Sequence, residues 1–350
     1  MKLVTYSPKT GAADARTHAG LLWGQWVLDI GQLSATAKAL GIKSKTPIGR
    51  SPNPSPTVLD LLARGPSIIE YLQDLSWRVF NRLRPNSRGG TGLTRLEESR
   101  LYAPIPRPPN LRDFYSFEAH VKSARARRGL EMVPEWYEIP AFYYSNPNVI
   151  HGPDEPVRMP TYTKMMDYEL EIACVIGKPG RDIAKKDAET HIAGYTILND
   201  WSARDIQVKE MRIGLGPAKA KDFATSLGPW LVTPDELVDK RTSDGKYDLE
   251  MRGEINGRLV SKGNMQSMHW TFADMISYAS QSVELQVGDV FGSGTVGGGS
   301  LLEQQSKKPR WLKSGDEVEL SIERLGSLRN RVIGPDQGPK QEEKKGRIRG

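Results

Sequence analysis

The chain carries a single cysteine, Cys174, among 350 residues. One thiol builds neither an internal disulfide nor a multi-cysteine zinc site. Cys174 lies in the apolar run Ile172-Ala173-Cys174-Val175-Ile176 and reads as an inert core thiol. Long hydrophobic runs are missing as well. No stretch approaches the roughly 20 apolar residues that a membrane-spanning helix needs. The opening MKLVTYSPKTGAADAR lacks the uninterrupted apolar segment of a secretory signal. The expectation is a soluble protein of a reducing, cytoplasmic compartment with no membrane partner. Strong charge of one sign is also absent, the net charge being +7. The densest basic stretch, Lys122 to Arg128, contains no aromatic residue, so no nucleic-acid partner is expected. That stretch reads either as a solvated helix face or as an attractor for a small carboxylate-bearing substrate.

What is present is a turn-rich globular composition: 38% hydrophobic, 26% charged, with 34 glycines and 24 prolines. Turn formers at this density favour many short strands joined by loops over a helical bundle, and the length suits one large domain plus a smaller one. Residues 1–34 read as short strands, and Ala35 to Pro56 as a polar surface loop. Thr57 is placed to cap a helix that Gly65 stops, and apolar residues from Ile68 to Leu83 follow at helical spacing. A small N-terminal α+β domain over 1–103 is therefore expected, in a structural or dimer-supporting role. Clustered prolines from Pro104 to Pro109 read as a linker. A β-rich domain follows over 104–334, with Gly-Asp turns leading into strands at 288–289 and 315–316. The tail 335–350 reads as disordered.

The segment DYELEIACVIG, 167–177, carries the most information. Strand alternation puts Tyr168, Leu170, Ile172, Cys174 and Ile176 on one face, and Glu169, Glu171, Ala173 and Val175 on the other. The second face turns apolar after two positions, so the two glutamates mark the mouth of a buried pocket or, alternatively, an exposed acidic edge. Neighbouring carboxylates raise each other's pKa unless a cation neutralises them, which suggests a divalent metal. A second strand ends in Asn199-Asp200, and Asp200 is either a ligand or the cap of the helix that follows. Asp113 precedes another helical segment and is open to the same two readings. His120 lies seven residues on, two turns along that helix, and is either structural or catalytic. Asp113, Glu169, Glu171 and Asp200 are all hard oxygen donors, which select Mg²⁺, Ca²⁺ or Mn²⁺ over Zn²⁺ or copper. Four carboxylates call for a further cation. Lys221 is the candidate, with Thr225 supporting the metal site.

Taken in order, Asp113-Phe-Tyr115-x4-His120, Glu169-x-Glu171, Asn199-Asp-Trp-Ser-Ala-Arg-Asp-Ile-Gln207 and Lys221-x3-Thr225 resemble the fumarylacetoacetate hydrolase family. The later segments NGRLVSKGNMQSMHWTFADMISYAS, VGDVFGSGTVGGGSLLE and GSLRNRV do so too, and the resemblance covers residues 101 to 334. It implies an α+β, β-rich fold, a mixed β-roll catalytic domain, in a homodimer. It also implies Mg²⁺ or Ca²⁺, with Mn²⁺ as a further option, held by Asp113, Glu169, Glu171 and Asp200. By the same resemblance His120 is the general base, oriented by Glu303. Arg204, Gln207 and Lys221 contact substrate and oxyanion, Tyr115 and Tyr143 line the pocket, and Thr225 lies near the metal. The loop GTVGGGSLLE departs from the fumarylacetoacetase pattern. Ser123 stands where short family members carry a lid glutamate, which favours the hydrolase-like arrangement.

The implied activity is metal-dependent hydrolysis of a carbon–carbon bond in a diketo acid, with water activated by His120 and an enolate leaving group. Enolate stabilisation serves equally well in a decarboxylase, isomerase or hydratase of 2-oxo acids. A non-catalytic carboxylate-binding protein is the remaining class, and His120 with Glu303 beside the acids argues against it.

Overall fold

The computed structural model describes residues 1–9, 16–43, 56–83, 92–304 and 310–335. The expected tail past Pro335, most of the polar loop before Pro56 and the helix end at Pro85 lie outside the described residues. Ten strands form the path of the main sheet. From edge to edge they are Leu93–Arg95, Trp26–Asp29, His18–Trp23, Lys2–Pro8, Thr225–Val232, Ile192–Asp200, Leu170–Ile176, Val290–Gly292, Leu111–Phe114 and Phe142–Ser145. Two further strands, Ser99–Tyr102 and Ile150–His151, pair off this path. Neighbours are antiparallel except Val290–Gly292 with Leu111–Phe114 and Thr225–Val232 with Ile150–His151. A second sheet runs Arg258–Asn264, Glu250–Ile255, Glu317–Ile322, Gly326–Ile333 and Val157–Arg158. The fold is thus α+β and β-rich, with mixed, open sheets.

The strand Leu170–Ile176 lies deep in the main sheet and is buried on both faces, as its apolar run demands. Its alternation is borne out. Tyr168, Leu170, Ile172, Cys174 and Ile176 join the core under the second sheet, whereas Ala173 and Val175 join a core shared with the N-terminal residues. That second core includes Leu3, Leu28, Leu33, Leu61 and Leu72 as well as Leu198 and Leu227. Lys2–Pro8 pairs directly with Thr225–Val232, so the N-terminal strands extend the same sheet that carries the acidic residues.

Several local expectations hold. Thr57 and Asp60 form a reciprocal capping box on Val58–Leu62, and Gly288 and Gly315 take the left-handed turn conformation ahead of their strands. Others are corrected. Ala35 to Ala39 belongs to the helix Ile30–Ala39, whose N-terminus Asp29 caps through Gln32 N–H and whose Ile30, Leu33 and Ala37 are buried at helical spacing. The 104–109 stretch is no free spacer, because Pro104 and Ile105 are buried and Thr5 Oγ1 donates to the Pro104 carbonyl at 3.0 Å. Asp113 does not share a helix with His120. It sits on the strand Leu111–Phe114, and the helix runs Glu118–Ala126 with Phe117 as its N-cap. Asp200 ends a strand, and Ala203 is the N-cap of the helix Arg204–Ile213, so Asp200 caps nothing.

Candidate metal centre and catalytic dyad

Strand register brings the acids together. Gly292 pairs with both Ala173 and Asp113, and Asp113 pairs with Tyr143 on its other side. Asp200 pairs with Thr225 on the strand beyond. Asp113, Glu171 and Asp200 each offer a carboxylate oxygen within 4.8 Å of the others, and all three are buried. The exposed-edge reading is excluded, since Glu169 is 4% and Glu171 0% exposed.

Glu169 lies outside that group of three. Its Oε1 accepts from Arg204 Nη2 at 2.8 Å, and its Oε2 accepts from Lys221 Nζ, which also donates to Asp200 Oδ2. Lys221 therefore bridges the fourth carboxylate to the other three. Tyr143 Oη donates to Asp200 Oδ2 at 2.5 Å and to Asp113 Oδ2 at 3.1 Å. Arg204 is fully engaged, with Nε on Asp167 Oδ2 at 2.8 Å and Nη1 on Gln207 Oε1 at 2.9 Å. Thr225 is buried beside Asp200, its hydroxyl 3.5 Å from that of Ser145.

His120 is 4% exposed on the first turn of its helix. Its Nδ1 lies 2.7 Å from Glu303 Oε2, and its Nε2 faces the acids, 3.9 Å from Glu169 Oε1. Glu303 is held in turn by Gly298 N–H at 3.0 Å and the Ser300 hydroxyl at 3.1 Å. The ring of Tyr115 packs edge-on against His120 with centroids 5.5 Å apart.

Two contributors escaped the sequence reading. Asp167 is wholly buried and accepts from the Leu301 and Leu302 N–H groups as well as from Arg204, tying the Glu303 turn to the arginine. Its signal was a carboxylate at the head of an apolar strand, overshadowed by the Glu-x-Glu pair. The Gly294 N–H donates to both Asp113 Oδ1, at 3.2 Å, and Glu171 Oε2, at 3.0 Å. A backbone donor leaves no side-chain signature.

The electrostatics follow from this crowding. Burial pushes Glu171 well above the ordinary carboxylate range, and Asp113 and Glu169 push it further. Burial likewise raises Asp200, with Lys221 opposing and Asp113 assisting, and it raises Asp113. Glu169 moves the other way, because Arg204 and Lys221 together outweigh its burial. Burial works against the charge on Lys221, yet Asp200 and Glu169 hold its pKa above the usual lysine value. Burial raises Tyr143 strongly, and it pushes Tyr115 up to about 12. Glu303 sits below its ordinary range despite its burial, chiefly through the hydrogen bond and charge of His120.

A divalent cation fits these residues. Among the described residues, the lysine and arginine paired with the five buried acids Asp113, Asp167, Glu169, Glu171 and Asp200 are Lys221 and Arg204, which leaves an excess of negative charge away from water. Among the described residues Asp200 Oδ1 is buried without a hydrogen-bond partner, a lone pair aimed at nothing the protein supplies. The donors are all carboxylate oxygens, the set that hard divalent ions take.

The chain is 28% identical over 279 residues to the oxaloacetate tautomerase YisK of Bacillus subtilis, covering 79% of this chain and 86% of that protein. It is 39% identical over 184 residues to a mitochondrial oxaloacetate tautomerase of Xenopus laevis, covering 53% of this chain and 55% of the other. A 2,4-didehydro-3-deoxy-L-rhamnonate hydrolase of a Sphingomonas species is 36% identical over 185 residues, 52% of this chain and 61% of that protein. Among solved structures, a probable 2-hydroxyhepta-2,4-diene-1,7-dioate isomerase from Mycobacterium abscessus superposes with a TM-score of 0.65 at 25% identity. That superposition covers 97% of this chain and 100% of the other. The model of the fumarylacetoacetate (FAA) hydrolase C-terminal domain matches residues 111–333, the stretch that holds every acid, the histidine and its glutamate. The chain belongs to the fumarylacetoacetate hydrolase family.

Proposed function

We propose that this chain moves a proton at the carbon beside the ketone of a small 2-oxo dicarboxylic acid, interconverting keto and enol forms of an oxaloacetate-like substrate. Asp113, Glu171 and Asp200 would hold a divalent metal, Mg²⁺ or Mn²⁺ before Ca²⁺. Glu169 would act as the shared counter-ion of Lys221 and Arg204. One observation carries the reading: the His120 imidazole is anchored through Nδ1 and turns Nε2 toward the carboxylate group.

Glu303, held ionised by its low pKa, only accepts hydrogen bonds, so Nδ1 carries the proton. Nε2 is the nitrogen turned toward the substrate; it takes the carbon proton and passes it to the enolate oxygen to give the enol, and the reverse transfer gives the ketone. A bound metal supplies Lewis acidity toward the substrate ketone. The Lys221 ammonium, fixed between Glu169 and Asp200, lends positive charge where the enolate oxygen develops. Gln207 contacts substrate from its place on Arg204, and Tyr115 and Tyr143 wall the pocket. The tautomerase names of two relatives support this order of preference.

Carbon–carbon hydrolysis of a diketo acid is the second reading. It is favoured by the same oriented base, which serves equally to deprotonate water, and by the hydrolase among the relatives. The full chain supplied with Mg²⁺, Mn²⁺ or Ca²⁺ is tested on enol oxaloacetate by decay of ultraviolet absorbance, and on acylpyruvates by product analysis. Metal-dependent enol decay without cleavage products supports tautomerisation, and cleavage products support hydrolysis. Failure on both substrate classes with every metal refutes the proposal. Homodimer assembly is also proposed, with the residues before Pro104 completing each protomer's sheet. A monomeric mass by light scattering would refute it.

A further inference from the structure

We propose that Glu210 is a positioning residue that presets Lys221 through the loop 214–220. The proposal rests on the role given to Lys221 above. The helix Arg204–Ile213 ends at Gly214, and Gly214 and Gly216 both take left-handed backbone conformations (φ 88° and 89°). The loop tip is apolar but finds no core, with Ile213 79% and Leu215 85% exposed. The chain then turns back and aims three consecutive N–H groups at one carboxylate. Ala218 donates to Glu210 Oε2 at 2.9 Å, Lys219 to Oε1 at 2.6 Å and Ala220 to Oε2 at 3.3 Å.

Successive amides converging on an anion form a backbone nest, here filled by the protein's own side chain. The next residue is Lys221, whose Nζ reaches Glu169 and Asp200. Three further bonds steady this stretch, Ala203 N–H to the Ala220 carbonyl at 2.8 Å, Lys221 N–H to the Ala218 carbonyl at 3.0 Å and Tyr162 Oη to the Lys219 carbonyl at 3.1 Å. None of them binds the N–H groups of Ala218, Lys219 or Ala220. Glu210 is itself only partly buried and touches none of the site's acids, so it acts on the reaction through the path of the loop. The exposed tip gives the loop no hold, and of its residues only Ala220 is buried, so three charge-assisted hydrogen bonds at its return fix where the ammonium enters the buried site.

The test compares the full chain with its Glu210→Ala and Glu210→Gln variants, all supplied with Mn²⁺. Lysine acetylation is read residue by residue by mass spectrometry, with exposed Lys209 on the same helix as the internal standard. Loss of the anchor is expected to raise Lys221 labelling about tenfold or more in Glu210→Ala. Turnover of enol oxaloacetate is expected to fall about 10- to 100-fold in kcat with KM nearly unchanged. Added formate, which fits the vacated nest, restores part of both. Glu210→Gln keeps one acceptor oxygen and falls between the two.

Unchanged Lys221 labelling in Glu210→Ala overturns the proposal whatever the turnover does. If that variant does not fold, Glu210→Gln decides, and wild-type labelling together with wild-type kcat overturns it. A wild-type chain without 2-oxo acid turnover refutes the proposed function alone, because labelling still reads the position of Lys221.

Discussion

Replacing Gly292 by alanine would place a methyl group 2.5 Å from Asp113 Oδ1 and 3.1 Å from Glu171 Oε2. Ordinary contact begins near 3.4 Å, so the carboxylate or the strand must give by about 0.9 Å. The strand has little freedom, since Gly292 is paired on both sides, with Ala173 and Asp113. Asp113 is itself held by the Gly294 N–H and Tyr143 Oη. The strain therefore falls on the spacing between Asp113 and Glu171, where a metal site tolerates only about 0.2 Å. Mn²⁺ affinity is expected to drop at least about 10- to 100-fold, or about 1.4–2.8 kcal/mol. Overpacking costs a further ~1–3 kcal/mol of fold stability. Gly253→Ala, whose methyl would meet Tyr168 at 3.1 Å in the second sheet, provides the control for overpacking alone. Titration calorimetry with Mn²⁺ on both folded variants reads the difference. A dissociation constant for Gly292→Ala within twofold of wild type would refute the assignment of Asp113 and Glu171 as a ligand pair.

Three further outcomes are expected. His120→Ala lowers turnover about 10²- to 10⁴-fold while Mn²⁺ affinity stays near wild type, and undiminished turnover would remove the base assignment. Despite its burial, the hydrogen bond and charge of His120 hold Glu303 below the ordinary glutamate value of 4.5, so the stability it contributes is full above that pH and is lost as pH falls through its lower folded value. Melting curves across acid pH should show the advantage of wild type over Glu303→Gln shrinking below pH 4.5; a constant gap would contradict the depressed carboxylate. Mn²⁺ at 100 times its dissociation constant should stabilise the chain by about 2.7 kcal/mol, chelator should reverse this, and Asp200→Asn should abolish it. A thermal shift of equal size in Asp200→Asn would exclude that residue from the metal set.

The main strands were legible where their apolar periodicity was strong. The alternation of 168–176 holds residue by residue, and the Thr57 cap and the two Gly-Asp turns rest on local hydrogen bonds that neighbours in the chain dictate. The polar stretch after Ala35 misled because its helix is stabilised by burial of Ile30, Leu33 and Ala37 rather than by composition. The placing of Asp113 and His120 on one helix was wrong. Asp113 arrives from a strand and His120 from the helix that follows, so helical pitch does not relate them.

From its sequence alone this protein has one inert thiol, no apolar span of membrane length, a turn-rich β architecture and an ordered series of acids ahead of a lysine. Those properties follow from composition and near-neighbour chemistry. Only the tertiary structure decided which acids meet. Strand register brings carboxylate oxygens of Asp113, Glu171 and Asp200 within 4.8 Å of one another, while Glu169 pairs with the buried cations Lys221 and Arg204. A contact between residues 183 positions apart, such as His120 with Glu303, depends on how sheets stack, and no local pattern encodes that distance.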